Sequence, residues 1–587
     1  MNEINDSCQK RVNKRTVILT FFFFLWFLGL TLRLIQLQVI EHSRLKGAVV
    51  KQNEYKPEII PERGTILDRR GEIMARSLPA PSVYFVTSDD EPTEQQFARV
   101  QRLKNILDLS DKELQRIKAK IKDRASFIWV KRKISPEKAE TIRRLNLNGI
   151  DFQLEHKRYY PLGTLAAHVL GGVDIDDRGA SGAEFQHNAR LEGVPGQSLI
   201  LWDGRKRPYH LEVLKEPIPG QDLILTIDET IQYIVERALG TAVRENRAQW
   251  GTVILSDPSS GEILAMASYP AYDPNFFPPS SPEAQRNRAI QDNFEPGSTF
   301  KIITAAAATE TGLVNFHDTF DCSAGKIKVA GWTIYDHKKM GVLTFPQVII
   351  HSSNVGTIQV GFRIGPENFY KMIKNFRFGE KTGIELPGEE NGIFHPLKSW
   401  SKTSLSAHSI GYEISVTAIQ ILQAMNIIAN RGCLIPFRIT RETPDLSGSM
   451  KASSSPRERI ISEKSANELI DHVFEKVVLD GTGQAAQLDG FTVAGKTGTA
   501  QRIDPATGSY SAGMHLASFV GFVPAERPVL SMIVVIDDPK VGLHYGGQVA
   551  APVFREIAGR VLLYLGQSPK IDPTKKMVTA QLRSISD

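Results

Sequence analysis

The sequence predicts an α+β protein: a single N-terminal transmembrane helix, an extended mixed domain, then a larger domain with helices covering a mainly antiparallel sheet. Three observations predict it. Residues 16–32, TVILTFFFFLWFLGLTL, form an uncharged apolar run near the N-terminus. Further on, a helix, a strand pair, a long helical middle, three strands and a last helix follow one another. The composition, 41% hydrophobic and 23% charged over 587 residues, is that of a globular protein with ample core.

That composition excludes disorder and a polytopic membrane protein as the main class. The 71 Lys and Arg against 65 Asp and Glu leave a net charge of +6, too dilute to argue for nucleic acid. With three cysteines there is no disulfide framework, and Cys322 and Cys433 are expected as unpaired thiols. No Cys-x-x-Cys or His-Glu-x-x-His string offers a metal site, so neither metal nor cofactor is expected. There is no internal repeat.

Taken in order, residues 1–15 form a short tail whose Lys10, Arg11, Lys14 and Arg15 place the N-terminus in the cytoplasm. The anchor is expected over 16–40, because Leu34-Ile35 and Val39-Ile40 extend the run towards the roughly 20 residues that span hydrocarbon. Arg33 can snorkel to the interface. A cleaved signal peptide begins the same way, but the exit RLIQLQVIEHSRLK lacks a small-x-small cleavage site. Nearly everything after Val39 is then outside the cytoplasm.

Residues 41–218 form the mixed domain. Within it, 91–148 carries Leu and Ile at helical spacing among Lys, Arg and Glu, which predicts amphipathic surface helices. The Pro/Gly-punctuated KEPIPGQDL reads as a linker before a second domain over 219–565. There Asp228 is a candidate N-cap for ETIQYIVERALGTAVRENRAQ. GTVILSD and GEILAMASYP are β-rich and read as a hairpin. FTVAGKTGTAQ, LASFVGFVPAE and VLSMIVVIDDP predict three more strands, and APVFREIAGRVLLYLG a closing helix. Residues 566–587 read as a polar tail.

The chemistry concentrates in three strings. Glu295-Pro296-Gly297-Ser298-Thr299-Phe300-Lys301 precedes an alanine run, Ala305 to Ala308, so a helix is expected to start near Ser298. Spacing i, i+3 puts Ser298 and Lys301 on one face. A serine hydroxyl needs a base to become a nucleophile, and a lysine with a lowered pKa supplies one. The helix N-terminus favours charge developing on an attacked carbonyl. Alone, such a pair reads as an N-cap and a surface lysine. The second string, Ser352-Ser353-Asn354, adds a relay hydroxyl and a peptide-binding amide. The third, Lys496-Thr497-Gly498-Thr499, adds a cation for a carboxylate on an edge strand. Gly498 is expected to let a substrate strand approach the sheet closely. A second Lys-Thr-Gly, at Lys381-Thr382-Gly383, lacks a β-run and reads as structural. His351 and Gly481-Thr482-Gly483 likewise read as packing or turn residues.

Ser-x-x-Lys followed by Ser-x-Asn and Lys-Thr-Gly is shared by class A β-lactamases and penicillin-binding proteins. Here the sequence resembles the class B penicillin-binding proteins, membrane-anchored monofunctional transpeptidases of peptidoglycan synthesis. Arg63-Gly64-Thr65-Ile66-Leu67-Asp68-Arg69-Arg70-Gly71, RYYPLGTLAAHVLGGVD, and Gly182-Ala183-Glu184 with Leu191-Glu192-Gly193 resemble the strings of the family's non-catalytic, dimerisation-type pedestal. LTIDETIQ, DPSSGEILAMASYPAYDPN, GIELPGE and GYEISVTAIQ resemble strings of its catalytic half, except that Glu413 stands where the pattern has glycine.

The resemblance implies a serine penicillin-recognising domain without cofactors. Ser298 would attack the penultimate D-alanine carbonyl of a stem peptide, with Lys301 as base and Ser352 and Asn354 relaying protons and holding the peptide. Lys496, Thr497 and Thr499, with Gly498 between them, would take the terminal carboxylate. The N–H groups of Ser298 and Thr499 would form the oxyanion hole. A neighbouring stem-peptide amine then resolves the acyl-enzyme, and β-lactams would acylate Ser298. With the chain ending soon after the catalytic domain, the division-specific subtype is expected, acting in septal wall synthesis. The implied partners are a polytopic glycosyltransferase of the SEDS type and divisome proteins. The implied location is the cytoplasmic (inner) membrane, single-pass, with the catalytic domain periplasmic or otherwise extracytoplasmic.

Several alternatives share part of this pattern. The elongation-specific subtype has the same pedestal and triad. A soluble β-lactamase would lack the anchor and pedestal, and no Glu-x-x-Leu-Asn string follows Ser352. A D,D-carboxypeptidase would use water in place of the amine, and a minor activity of that kind is compatible with the residues. A non-enzymatic β-lactam sensor would need a signalling domain that residues 1–15 cannot hold. The intact Ser298, Lys301, Ser352, Asn354 and Lys496 argue against a scaffold. A bifunctional glycosyltransferase would need a second catalytic constellation in 41–218, and none stands out.

Overall fold

The computed structural model describes residues 2–44, 54–56, 58–88, 91–125, 127–202, 208–278, 281–441, 457–503, 509–542 and 544–569. The predicted tail therefore lies almost wholly outside the described residues. The chain separates into two compact units, residues 1–62 with 193–219 and residues 63–192 with 220–587.

The first unit contains helix α1 (Asn2–Ile35), prolonged by a π turn to Ile40. Over Asn13–Ile40 it is long and apolar enough to cross a membrane, the only such helix among the described residues. From Val17 to Ile40 its large apolar side chains are exposed, Leu37 excepted; Phe22 is 69% and Phe27 68% exposed, an arrangement suited to lipid rather than water. Thr20 and Thr31 return their hydroxyls to the carbonyls of Thr16 and Phe27 at 2.8 Å, so neither is left unpaired. At the exit, Arg33 donates to Gln36, Gln36 to Glu41, and Arg44 to Glu41. Such polar company is what a snorkelling guanidinium needs. The same unit holds a small antiparallel sheet in which Gly196–Trp202 is flanked by Glu54–Tyr55, Glu58–Ile59 and Pro208–Lys215.

Two sheets organise the second unit. The first consists of β1 (Ile66–Leu67), β2 (Ile73–Val86), β3 (Phe127–Lys131), β4 (Ile150–Tyr159), β5 (Leu223–Leu225) and the short strand Thr440–Arg441. The long β2 pairs antiparallel with both β3 and β4, while β1 runs parallel to β5. Helices α2 (Thr93–Leu103), α3 (Asp111–Lys122) and α4 (Pro136–Arg144) bury Val100, Leu103, Leu114, Ile117 and Ile142 against Val83, Phe85 and Ile128. A capping box at Ser110 and Glu113 starts α3, and Ser135 with Pro136 starts α4. The stretch 91–148 is thus helical as expected, except at β3. There Ile128 and Val130 point inward while Phe127 and Trp129 ring Tyr84 outside. Five residues of alternation are easily submerged in a basic helical composition.

Three strings of the pedestal resemblance converge in this unit on one carboxylate. Glu184, fully buried, accepts Arg63 Nε at 2.8 Å and Arg158 Nε at 2.6 Å, and the Tyr160 hydroxyl lies 3.3 Å from it. Arg63 also donates to Asn188 at 2.8 Å. Two guanidiniums around one carboxylate satisfy charges that burial alone would make costly.

The second sheet is antiparallel throughout, in the order β7 (Ile263–Tyr269), β6 (Trp250–Ser256), β10 (Leu530–Asp537), β9 (Tyr510–Val523), β8 (Ala494–Ile503). The predicted hairpin and three strands are all present, and β9 begins earlier than its apolar run. Asp228 caps α5 (Glu229–Glu245) by accepting the N–H of Ile231. Between β7 and β8 come α6 (Lys301–Thr311), α7 (Phe345–Ile350), α8 (Asn354–Ile364) and α9 (Ala418–Ala429); α10 (Gly546–Tyr564) follows β10. The sheet is covered on both faces. Met532, Val534 and Ile536 of β10 join the core under α5 and α10, while Ile533 and Val535 join the core with α6 and α9. A central strand buried on both faces reads as a continuous apolar run, which accounts for MIVVI. Inside the second core, Lys301 to Ala308 of α6 are all buried, and the four alanines let neighbouring helices close around it.

Candidate active site

Ser298 sits in a 3-10 turn, Gly297–Phe300, which runs directly into α6. The expected helix start is therefore present, wound one residue tighter than an α-helix at the serine itself. The turn is fixed from both ends: Gly297 N donates to Gly411 O at 3.0 Å, and Thr299 Oγ1 to Pro296 O at 2.8 Å. Ser298 is half-buried, whereas Lys301 is entirely buried.

The second string joins α7 to α8. Ser352 has φ +58°, the left-handed conformation that lets the chain reverse between the helices. Ser353 is the N-cap of α8, its hydroxyl oxygen accepting Gly356 N at 2.9 Å. Asn354 is the first residue of α8. The third string lies on edge strand β8, with Lys496 opposite Val520 and Gly498 opposite Ser518.

These strings meet at Ser352. Lys301 Nζ donates to Ser352 O at 2.7 Å and to Asn354 Oδ1 at 2.8 Å, and lies 3.3 Å from Ser352 Oγ. Lys496 Nζ reaches the same Oγ at 3.0 Å and its own strand at Thr497 O, 3.1 Å. A hydroxyl has two lone pairs and one proton, so it can take both amines and still donate. Both lysines are fully buried, and burial pushes both amines down. Lys301 falls to about 7, with the Asp336 carboxylate pulling back upward. Lys496 falls well below its ordinary value, and the nearby Lys301 adds to that fall.

The remaining predicted residues stand close by. Thr497 Oγ1 and Thr482 Oγ1 are hydrogen-bonded at 2.6 Å, and Thr499 Oγ1 accepts Gly546 N at 3.1 Å from the start of α10. Thr482 lies in Gly481–Gly483, read from sequence as a turn with no link to the site. At Gly498, the direction a Cβ would take is filled by Ser518 Oγ at 2.3 Å, Thr299 Cγ2 at 2.7 Å and Pro296 O at 3.2 Å. The glycine thus admits the Ser298 turn against β8, a different reason from the substrate approach expected of it.

The second Lys-Thr-Gly forms no strand. Thr382 N and Oγ1 and Gly383 N all donate to the Glu389 carboxylate, closing a loop. Glu413 has φ +58°, so the family's glycine is accounted for by the backbone, and here the strained residue's N–H donates to Glu295 at 3.0 Å. His351 ends α7, half-buried. Both Cys322 and Cys433 are free thiols, and Cys322 is buried, its sulfur 3.3 Å from Ser353 Oγ.

A serine at a helix start, a buried lysine one turn on, and a hydroxyl joining that lysine to a second one on an edge strand define a serine acyl-transfer domain. The description "Penicillin binding protein transpeptidase domain" matches residues 251–559, and "Penicillin-binding Protein dimerisation domain" matches 58–225. Stage V sporulation protein D of Bacillus subtilis is 34% identical over 576 residues, covering 96% of this chain and 88% of that protein. Peptidoglycan D,D-transpeptidase FtsI of Escherichia coli K12 is 33% identical over 550 residues, covering 92% and 89%. Among solved structures, penicillin-binding protein 3 of Mycobacterium tuberculosis complexed with aztreonam superposes with TM-score 0.68 at 28% identity, covering 88% of this chain and 99% of that one. The chain belongs to the class B penicillin-binding proteins, and it is a single-pass peptidoglycan D,D-transpeptidase.

Proposed function

We propose that this transpeptidase cross-links stem peptides through a Ser298 acyl-enzyme during septal wall synthesis. The observation that carries the site reading is the convergence on the Ser352 hydroxyl of Lys496 and of Lys301, the lysine one turn on from Ser298. Ser298 Oγ attacks the penultimate D-alanine carbonyl and passes its proton to the neutral Lys301 amine. The tetrahedral oxyanion forms against the N–H groups of Ser298 and Thr499. Collapse breaks the peptide C–N bond, and terminal D-alanine leaves with a proton relayed from Lys301 through Ser352. An amine from a second stem peptide then attacks the ester, losing its proton along the same path and restoring the Ser298 hydroxyl. Asn354 holds the donor peptide.

Lys496, Thr497, Gly498 and Thr499 form the carboxylate side of the site. Arrival of a carboxylate beside Lys496 favours its ammonium form, and that new charge drives Lys301 further towards the neutral base. Substrate binding and base activation are coupled in this way. β-Lactams, which present a similar carboxylate, acylate the same serine.

The finer assignments belong to the same proposal: residues 16–40 anchor the protein in the cytoplasmic membrane with the N-terminus inside, and 219–565 work outside on a pedestal of 41–218. A SEDS-type glycosyltransferase and divisome proteins are the proposed partners. The septal role is supported by similarity to FtsI and to stage V sporulation protein D along most of both chains.

Intact mass of the full-length protein after benzylpenicillin treatment, followed by peptide mapping, tests the site. One adduct on the Ser298 peptide, lost in Ser298→Ala with the melting temperature unchanged, is expected. An adduct elsewhere sinks the nucleophile. Depletion in cells is expected to give filaments, and round cells would transfer the protein to elongation.

A further inference from the structure

The start of α8 is held by a carboxylate from another part of the chain. Asp336 directly follows the hairpin formed by Lys326–Val329 and Trp332–Tyr335. Its Oδ2 accepts the Ser353 hydroxyl at 2.8 Å, and its Oδ1 accepts the N–H groups of Asn354 and, at 3.1 Å, Val355. One residue earlier, Tyr335 O accepts Asn354 Nδ2 at 3.0 Å. A carbonyl only accepts, so the Asn354 NH2 group must face Tyr335 and its Oδ1 must face the Lys301 ammonium. The hairpin end therefore sets both the backbone and the amide orientation of Asn354. Ser352, two residues earlier in an unfavourable left-handed conformation, is held between Ile349 O, which accepts its N–H, and this clamped helix start. A negative group at the first N–H groups of a helix is well placed electrostatically.

We propose that Asp336 is a positioning residue of the acyl-transfer site, clamping the start of α8 against Lys301 and laying a fixed negative charge beside that amine. The inference deepens the reading given above and rests on it. Asp336 opposes the burial that drives the Lys301 amine down; Cys322, also beside it, acts in the same direction as Asp336. Lys496 on β8 and His337 after the hairpin are the other titratable groups facing Lys301. Without the aspartate charge, Lys301 loses its proton at lower pH.

The test measures the second-order rate of acylation by benzylpenicillin against pH, using the full chain in detergent, for wild type, Asp336→Asn and Asp336→Ala. Asparagine keeps an acceptor for the two backbone N–H groups but lacks the charge. For Asp336→Asn the plateau rate is expected to fall about tenfold, and the acid limb to move to lower pH by roughly one unit. For Asp336→Ala the loss is expected to approach a hundredfold, as for other misplaced sites. If alanine prevents folding, the asparagine variant decides alone. Rates within about twofold of wild type, or a loss with the acid limb unmoved, overturn the inference; the second result marks a residue that only holds the fold. Ser298→Ala, run alongside, separates the two readings. If it still acylates, the site reading fails; if label stays on Ser298 while the Asp336→Asn limb is unmoved, only the inference fails.

Discussion

Gly498 and Thr299 stand so close that a methyl group on Gly498 would lie 2.7 Å from Thr299 Cγ2, well inside van der Waals contact. The edge strand and the nucleophile turn are packed backbone to side chain, with no room to spare. Ser518 Oγ on β9 is closer still to the same position, at 2.3 Å.

Gly498→Ala is therefore expected to push the Ser298 turn away from β8. Overpacking of this kind costs about 1–3 kcal/mol of stability. A displacement near 1 Å slows acylation by on the order of a hundredfold. Thermal melting and stopped-flow acylation check the two effects. A variant that acylates at the wild-type rate would show that the turn is not seated by this contact.

The site was legible where chemistry follows local spacing and obscure where it depends on distant partners. Ser298 and Lys301 declare themselves by one helical turn, and Lys496 by a β-run that places it on a strand. The alternation of β10 between two cores is visible as MIVVI because each face needs apolar residues. Asp336 gives no such signal. It sits among charged residues after an exposed hairpin, and its partners Ser353 and Asn354 reach it only when α8 folds back. Thr482 is equally silent, being one hydroxyl between two glycines until β8 brings Thr497 to it. Arg63, Arg158 and Glu184 were visible as parts of strings, but their shared burial is a tertiary fact.

The two Lys-Thr-Gly strings are distinguished by what surrounds the lysine. Lys496 is buried against Ser352, and its removal takes away the cation for the substrate carboxylate. Lys381 is exposed on the loop that Glu389 closes. Lys496→Ala is expected to slow acylation by about a hundredfold or more. Lys381→Ala is expected to stay within about twofold, as exposed substitutions do. A fluorescent penicillin followed over time reads both, and the reverse pattern would exchange the two assignments.

Glu413 occupies a left-handed position without the freedom of glycine. That conformation costs a residue with a Cβ about 1–2 kcal/mol. Glycine removes the strain and gives back roughly 0.5–1 kcal/mol in chain entropy. The exposed side chain is not what holds the turn; Glu295 accepts from the backbone N–H, which glycine retains. Glu413→Gly is thus expected to stabilise the protein by about 0.5–1 kcal/mol. Chemical denaturation measures it, and a loss of stability would mean that the glutamate side chain makes a contact worth more than the strain.

The acylation rate should carry the titration of Lys301. Burial brings that amine down to about 7, with Asp336 and Cys322 pulling upward. As base it must be neutral, so the active fraction falls as pH drops through the folded value and approaches one above it. The second-order rate constant, which reports the free enzyme, is therefore expected to rise through an acid limb centred near 7. Burial and the nearby Lys301 hold the Lys496 amine well below its usual range as well. Stopped-flow measurement between about pH 5 and pH 9 covers the transition. A profile flat across that range would remove Lys301 as the titrating base. A rate still climbing without a plateau at the top of that range would mean that the amine is solvated in the working protein, against its complete burial here.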